Sequence, residues 1–179
     1  LDYNLIMAEN FITILGGGNT AFSVAAHLTL LGNKITLYEI PSFKETLIPI
    51  QDDGVINLLG VDGEKKVNLH HFTSDIEEAL VDANLILVIV PAYAHKPFAE
   101  VCIPHLKSGQ TIVLMPGTLG TLEWAQMLRE AGKEGLVTLA EVDTAPCVCR
   151  KTAPDTATIW GIVASLGLGV LPSTETDRV

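Results

Sequence analysis

The sequence predicts an α/β protein built on a doubly wound, mostly parallel sheet. Short apolar runs alternate with helical segments along the chain, which is the order that produces parallel strands covered by helices. Two of the runs, 85–90 and 111–115, are almost entirely apolar, as strands buried on both faces require. A glycine-rich turn joins the first run to the first helical segment, which is typical of the opening unit of such a sheet.

Each element follows from its local pattern. Between the first two runs, apolar residues from 21 to 28 recur at the spacing of one helix face, and Asn19 or Thr20 is expected to cap that helix. Ser74 to Glu77 has the form of a capping box and predicts a second helix. The predicted strands are 11–15, 35–38, 85–90, 111–115, 136–142, 157–163 and 166–171.

An inserted β-hairpin is expected between the second and third strands of the sheet. The segments 54–61 and 64–72 flank the pair Asp62-Gly63, which is a strong hairpin-turn signal. The second arm is expected to lead into the third strand. Near the end of the chain, the runs 157–163 and 166–171 have no helix between them, so they are expected to extend the sheet in mixed orientation.

The turn at 16–21, Gly-Gly-Gly-Asn-Thr-Ala, has the form G-x-G-x-x-A. Gly16 allows a tight turn, Gly18 allows the backbone to approach a pyrophosphate, and Ala21 allows the helix to pack closely on the strand. The free N–H groups and the positive dipole end of the helix would then hold the anion, with Asn19 and Thr20 beside it. These patterns predict an NAD(P)-binding Rossmann fold.

Glu39 ends the second strand and lies 23 positions after Gly16 (39 − 16), close to the offset of about 20 expected for a ribose-binding acid. A carboxylate accepts hydrogen bonds from both ribose hydroxyls and repels a 2′-phosphate. NAD is therefore the expected cofactor. NADP is the alternative, because Ser42 and Lys44 follow closely and could serve a 2′-phosphate.

Ligands of such sheets bind outside the carboxyl ends of the strands, and those ends place the nicotinamide. Prolines mark two neighbouring ends, although a proline also ends a strand for purely structural reasons. His95 follows the first of them and is a substrate-side candidate, or only a polar residue of a first helical turn. The cofactor-binding residues expected from all these patterns are Gly16, Gly18, Asn19, Thr20, Ala21, Glu39, Val90, Pro91, Ala92, Pro116, Gly117 and Glu141.

Composition narrows the partners and the compartment. The chain has a net charge of −10 and 11 scattered basic residues, so neither nucleic acid nor a membrane surface is an expected partner. Three cysteines do not form a disulfide framework, which favours the cytoplasm. Cys147 and Cys149 supply only two thiols, so no metal site is expected. Arg150 and Lys151 could hold a substrate carboxylate or only terminate a strand.

In this order, the motifs resemble those of the octopine/nopaline (opine) dehydrogenases from about Phe11 to Pro172. Related dehydrogenases for glycerol-3-phosphate and ketopantoate share several of the motifs. The chain departs from the pattern at Thr20 or Ala21, where many members have glycine. The segments that carry the resemblance are Gly16-Gly17-Gly18-Asn19, Ala25-Ala26, Leu37-Tyr38-Glu39, Thr73-Ser74-Asp75-Ile76, Val90-Pro91-Ala92 with His95, Met115-Pro116-Gly117-Thr118, and Glu141 with Pro146 and Cys149-Arg150.

The resemblance implies an NAD(P)-dependent dehydrogenase acting on CH–NH donors, which reduces the imine formed from an α-keto acid and an amino acid. It also implies a Rossmann domain over 1–172, followed by a helical domain that begins at 173–179 and carries the catalytic residues beyond Val179. This chain alone is then expected to bind cofactor without turnover. The sequence does not decide whether the protein is a monomer or a homo-oligomer. The alternatives are an enzyme like ketopantoate reductase or glycerol-3-phosphate dehydrogenase, and a non-catalytic NAD-sensing module.

Overall fold

A seven-stranded sheet with β1 near its centre organises the protein, as a computed structural model describes it for residues 10–61 and 63–179. The order across the sheet is β11-β8-β7-β6-β1-β2-β5, and every neighbouring pair is parallel except β11 with β8. Its strands are β1 (Phe11–Leu15), β2 (Lys34–Tyr38), β5 (His71–Thr73), β6 (Leu85–Val88), β7 (Thr111–Leu114), β8 (Thr138–Val142) and β11 (Leu168–Leu171). The predicted fold class is confirmed.

The strand order reverses beside β1. The chain passes from β1 to β2 and β5 on one side, then crosses to β6, β7 and β8 on the other. Such a reversal opens a crevice at the carboxyl ends of the central strands. Residues Ile12 to Leu15 pair with both β2 and β6, and they are almost wholly buried. The glycine turn therefore leaves the sheet at its switch point.

A second, separate sheet has four strands in the order β4-β3-β10-β9. Its strands are β3 (Val55–Gly60), β4 (Lys65–Asn68), β9 (Cys147–Ala153) and β10 (Thr156–Ile162). The inserted hairpin is confirmed as the antiparallel pair β3–β4, although Asp62 of its expected turn lies outside the described residues.

Two details of the strand predictions are wrong. The segment 64–72 is not one strand, because β4 belongs to the second sheet and β5 to the main one. The segment 157–163 does not extend the main sheet, since β10 pairs in parallel with β3 of the hairpin. Only the last strand, β11, adds to the main sheet in antiparallel orientation.

The first helix, α1 (Asn19–Leu30), lies between the two sheets. Every residue from Ala21 to Ala26 is buried, because one side of the helix packs on the main sheet and the other on the second sheet. A helix that is apolar all round is one that is covered all round. This covering brings β9, which is distant in sequence, onto the start of α1.

The described part of the chain contains three further α-helices: α2 (Ile76–Leu80), α3 (His95–Cys102) and α4 (Gly120–Glu130). The cap of α2 is Asp75, whose side chain accepts hydrogen bonds from the N–H groups of Glu77 and Glu78, one position later than the capping box predicts. The helices α3 and α4 cover the opposite face of the main sheet, where Trp124 is fully buried.

After β11 the chain forms a short 3-10 turn at Ser173–Glu175. The Arg178 guanidinium reaches back and donates hydrogen bonds to the hydroxyls of Thr111 and Thr138, at the amino ends of β7 and β8. A second domain beginning at 173 stays a prediction. None of the helices in the described part of the chain has the length and apolarity that a membrane span needs.

Candidate functional site

The turn after β1 requires glycine at its first position. Gly16 has a φ of +115°, a conformation that side chains disfavour. A Cβ at this position would lie 2.7 Å from the carbonyl oxygen of Ile89 and 2.8 Å from the Cγ1 atom of Val90. The Gly16 N–H donates to the carbonyl of Tyr38 at 2.8 Å. Gly16 therefore joins the ends of β1, β2 and β6.

The second glycine holds the acid that ends β2. The Gly17 N–H donates to Glu39 Oε2 at 2.7 Å, and the Ile40 N–H donates to Glu39 Oε1 at 2.9 Å. Burial raises the pKa of the Glu39 carboxyl, and these two amide donors oppose the rise. Each oxygen keeps acceptor capacity beyond its one amide bond. The carboxylate is thus fixed beside the glycine turn.

Gly17 has a role that the G-x-G-x-x-A pattern does not assign to it. A Cβ on Gly17 would lie 2.4 Å from Thr46 Oγ1 and 3.0 Å from Glu39 Oε2. Thr46 belongs to the 3-10 segment Pro41–Ile50, which follows Glu39 and folds over the turn. A side chain on Gly17 would therefore displace the Thr46 hydroxyl and disturb the Glu39 carboxylate.

The third glycine faces open space. No atom would lie within 4 Å of a Cβ placed on Gly18, and its φ of −74° is accessible to any residue. Gly18 occupies the N-cap position of α1, so the expectation that Asn19 or Thr20 caps the helix is wrong. Within the described residues, no side chain caps the start of α1. Its first N–H groups therefore remain available to an anion.

A cavity of about 330 Å³ opens at these N–H groups. It runs from the glycine turn across the ends of β6 and β7 and brings together many of the expected cofactor residues. Its lining consists of Gly18, Asn19, Thr20, Ile89, Val90, Pro91, Met115 and Pro116.

Other expected cofactor residues lie outside this lining. Ala21 is fully buried and packs α1 on the sheet, while Ala92 begins the turn Ala92–Ala94 beyond Pro91. Glu39 also lies outside this lining and is bonded to the Gly17 N–H of the glycine turn. The roles of these residues in binding stay predictions.

Gly117 and Glu141, which were also expected to bind the cofactor, lie outside this lining, beyond Pro116. The Glu141 carboxylate accepts hydrogen bonds from the N–H of Leu119 and from the N–H and hydroxyl of Thr121, at the start of α4. Thr118 and Leu119 both have positive φ, at 48° and 65°, which is uncommon for residues other than glycine. Glu141 therefore braces a strained loop beside Pro116, and its contact with nicotinamide stays a prediction.

Gly117 packs directly on this brace. A Cβ placed on Gly117 would lie 2.1 Å from the Cβ of Glu141. The Gly117 N–H also donates to the carbonyl of Val142 at 2.9 Å. The glycine is thus required here by close packing against β8.

His95 begins α3 but is only 2% exposed. A Cβ on Gly120, at the start of α4, would lie 2.3 Å from its Nδ1 atom, so the ring packs between the two helices. Burial lowers the pKa of His95, opposed by the charges of Glu123 and Glu141 and by a hydrogen bond with the Val90 backbone. The structure thus encloses the ring, and the substrate-side role stays a prediction.

This burial makes stability depend on pH. Because the folded-state pKa of His95 lies below its ordinary value of 6.5, the unfolded chain binds the proton more readily, and stability is lost as the pH falls below that value. We expect the urea midpoint of His95→Gln to change less than the wild-type midpoint between about pH 6.5 and pH 5. The variant His70→Gln, at an exposed histidine, should show the wild-type change of urea midpoint over this pH range. A wild-type change of midpoint in His95→Gln would contradict the conclusion that burial of His95 makes stability depend on pH.

The second sheet supplies contacts that no local pattern indicates. The Lys151 N–H donates to Asn19 Oδ1 at 2.9 Å, and Lys151 Nζ donates to the Thr46 carbonyl at 3.3 Å. The same ammonium lies 4.0 Å from the centre of the Phe22 ring. Lys151 therefore ties β9 to α1 and to the segment after Glu39, while Arg150 is exposed on the other face of β9.

Comparisons with known proteins give relatives for nearly the whole chain. No family model matches. The opine dehydrogenase of Arthrobacter sp. (strain 1C) is 33% identical over 163 residues, which are 90% of this chain and 45% of that protein. The opine dehydrogenase of Haliotis discus hannai is 28% identical over 173 residues, covering 78% of this chain and 42% of that protein. The chain thus spans less than half the length of these relatives.

Solved structures show the same fold. An octopine dehydrogenase described with NADH and L-arginine has a TM-score of 0.77 at 18% identity and covers 94% of this chain and 45% of its own. A yersinopine dehydrogenase with bound NADP+ has a TM-score of 0.72 at 20% identity, with 90% and 41% covered. A ketopantoate reductase from Ralstonia eutropha JMP134 has a TM-score of 0.63 at 19% identity, with 84% and 46% covered.

Proposed function

Because the chain belongs to the opine dehydrogenase family and corresponds to the N-terminal Rossmann domain of its members, we propose that it binds a nicotinamide dinucleotide. The dinucleotide would extend from Glu39 to Pro116. The observation that carries this proposal is the open cavity at the uncapped start of α1. In this cavity nothing in the protein itself requires Gly18 to be glycine. A pyrophosphate resting on the backbone would require it.

Different residues would bind the different parts of the dinucleotide. The N–H groups of the first turn of α1 would hold the pyrophosphate, and the Glu39 carboxylate would accept hydrogen bonds from the adenosine ribose. The ends of β6 and β7, at Pro91 and Pro116, would border the nicotinamide. When bound, the dinucleotide supplies the hydride, and this chain supplies position and face selection.

NADH is the proposed preference over NADPH. The Glu39 carboxylate is held on the glycine turn by two backbone donors, so it is poised to repel a 2′-phosphate. Ser42 and Lys44 lie exposed on the segment after Glu39 and are the residues that would serve NADPH. The NADP+-bound yersinopine dehydrogenase has the same fold. The binding experiment below therefore compares NADH with NADPH.

For the whole protein we propose an opine-dehydrogenase activity: reduction of the imine formed from an α-keto acid and an amino acid. The proton-transfer residues would belong to a helical domain that begins at 173–179. A ketopantoate-reductase-like activity has less support, because that likeness rests on the fold alone, whereas the opine dehydrogenases are also similar in sequence over most of the chain.

Cofactor titration and turnover together test the proposal. Titration of the purified protein with NADH should quench the fluorescence of Trp124 or Trp160 and saturate, and NADPH should bind more weakly. Full-length protein should oxidise NADH only when a keto acid such as pyruvate and an amino acid are both present. Binding without turnover over a panel of both substrates would favour the NAD-sensing module, and the absence of binding would refute the site.

A further inference from the structure

Two thiols lie side by side on the strand that covers the start of α1. Cys147 and Cys149 are separated by one residue on β9, so their side chains share one face of the strand. Both are half-buried, whereas Cys102 is enclosed in the core.

The second thiol lies against the first turn of α1. The Cys149 thiol donates to the carbonyl oxygen of Asn19 at 3.8 Å. The neighbouring Cys147 thiol lowers the pKa of Cys149 against the effect of burial. The Cys149 sulfur also lies at the start of α1, where the positive end of the helix dipole favours a thiolate. Cys149 is therefore the nucleophile and Cys147 its partner.

The strand geometry permits a bond between the two sulfurs. Residues two apart on a strand have Cα atoms about 6.6 Å apart, near the upper end of the range of roughly 4.4–6.8 Å that disulfides span. A bond formed there would be strained and readily reduced, which is characteristic of regulatory disulfides rather than structural ones.

We propose that Cys147 and Cys149 form a reversible dithiol switch that reacts with hydrogen peroxide and controls the dinucleotide site. The Cys149 thiolate attacks one peroxide oxygen, the O–O bond breaks, and Cys149 becomes a sulfenic acid. The other oxygen leaves as hydroxide, which takes a proton from the solvent to become water. The Cys147 thiol then attacks the Cys149 sulfur, forming the S–S bond and releasing a second water. The two sulfurs together lose two electrons and the peroxide gains them.

The consequence for the site follows from what Cys149 touches. Drawing its sulfur toward Cys147 removes it from Asn19, in the turn whose N–H groups face the cavity. The Lys151 N–H bond to Asn19 Oδ1 lies two residues further along β9 and would shift with it. Oxidation is therefore expected to weaken NADH binding about tenfold. This factor corresponds to the loss of one hydrogen bond between an N–H group of the first turn of α1 and the charged pyrophosphate. This last step rests on the proposed function.

Mass spectrometry of the purified protein after hydrogen peroxide treatment tests the switch without reference to the cofactor. The tryptic peptide spanning 134–150 contains both cysteines, and we expect it to lose two hydrogen atoms and to regain them with dithiothreitol. In Cys147→Ser, dimedone should trap a sulfenic acid on Cys149. In Cys149→Ser, Cys147 should stay reduced. Cys102 serves as the internal reference, because its burial raises its thiol pKa.

Oxidation of the 134–150 peptide no faster than Cys102, or the absence of the intramolecular bond, would overturn the switch. NADH titration of the oxidised and reduced forms then tests its control of binding. If the disulfide forms but the oxidised protein binds NADH as tightly as the reduced one, the regulatory step is wrong. If the reduced protein does not bind NADH at all, the proposed function fails while the thiol chemistry stands.

Discussion

Replacing Gly18 with valine is expected to abolish dinucleotide binding while leaving the fold intact. No protein atom lies within 4 Å of a Cβ at this position, and its backbone angles suit any residue. The cost to stability should therefore stay below about 1 kcal/mol, the scale of an N-cap change. The added side chain would stand where the pyrophosphate meets the helix N–H groups. Losing two charge-assisted hydrogen bonds weakens binding by about a hundredfold or more.

Gly16→Val should give the opposite result. The positive φ and the contacts with Ile89 and Val90 force the backbone to move, and the free energy of unfolding should fall by about 2–5 kcal/mol. Gly169→Val is the matched control, because its position on β11 is open and lies across the sheet from the turn. NADH titration and urea unfolding of the three variants separate the effects. If Gly18→Val binds NADH as tightly as wild type, the pyrophosphate does not bind at the start of α1.

Glu39→Gln is expected to change cofactor selectivity. The amide removes the negative charge and turns an NH2 group toward one of the two backbone donors, so one buried N–H loses its acceptor. NADH affinity should fall about tenfold, whereas NADPH should lose less, because the repulsion of its 2′-phosphate disappears. Glu39→Ala should weaken NADH more than NADPH in the same way, with a further loss of stability from both unpaired N–H groups.

Glu45→Gln provides the control for charge. Glu45 is exposed on the same segment after Glu39, so the variant makes the same change of net charge without touching the glycine turn. Its ratio of NADH to NADPH dissociation constants should match that of wild type. An equal shift of this ratio in both variants would show that long-range charge, rather than the Glu39 contact, sets the preference.

Local patterns predicted most of the main sheet because most of its strands carry their own signal. The exception is β5 (His71–Thr73), which local patterns assigned to the second arm of the hairpin. Unbroken apolar runs, a glycine turn and proline-marked ends are features of single segments, and the parallel order follows from their alternation with helices. Glu39 was found in the same way, from its offset to Gly16. The structure then added its partner, since Gly17 donates the N–H that fixes the carboxylate.

The second sheet could not be predicted from local patterns. The pairing of β10 with β3 joins segments about a hundred residues apart, and nothing within either segment indicates its partner. The covering of α1 is the consequence, and with it come the contacts of Lys151 and Cys149 on the first turn. The sequence does show that α1 is apolar on more than one face, which is the one local sign that a second layer covers it.

A crystal structure of the protein with NADH would show where the dinucleotide binds. We expect pyrophosphate oxygens on the N–H groups at the start of α1, ribose hydroxyls on the Glu39 carboxylate, and the nicotinamide beside Pro91 and Pro116. Density for the dinucleotide anywhere other than the carboxyl ends of β1, β2, β6 and β7, or its absence at saturating NADH, would contradict this placement.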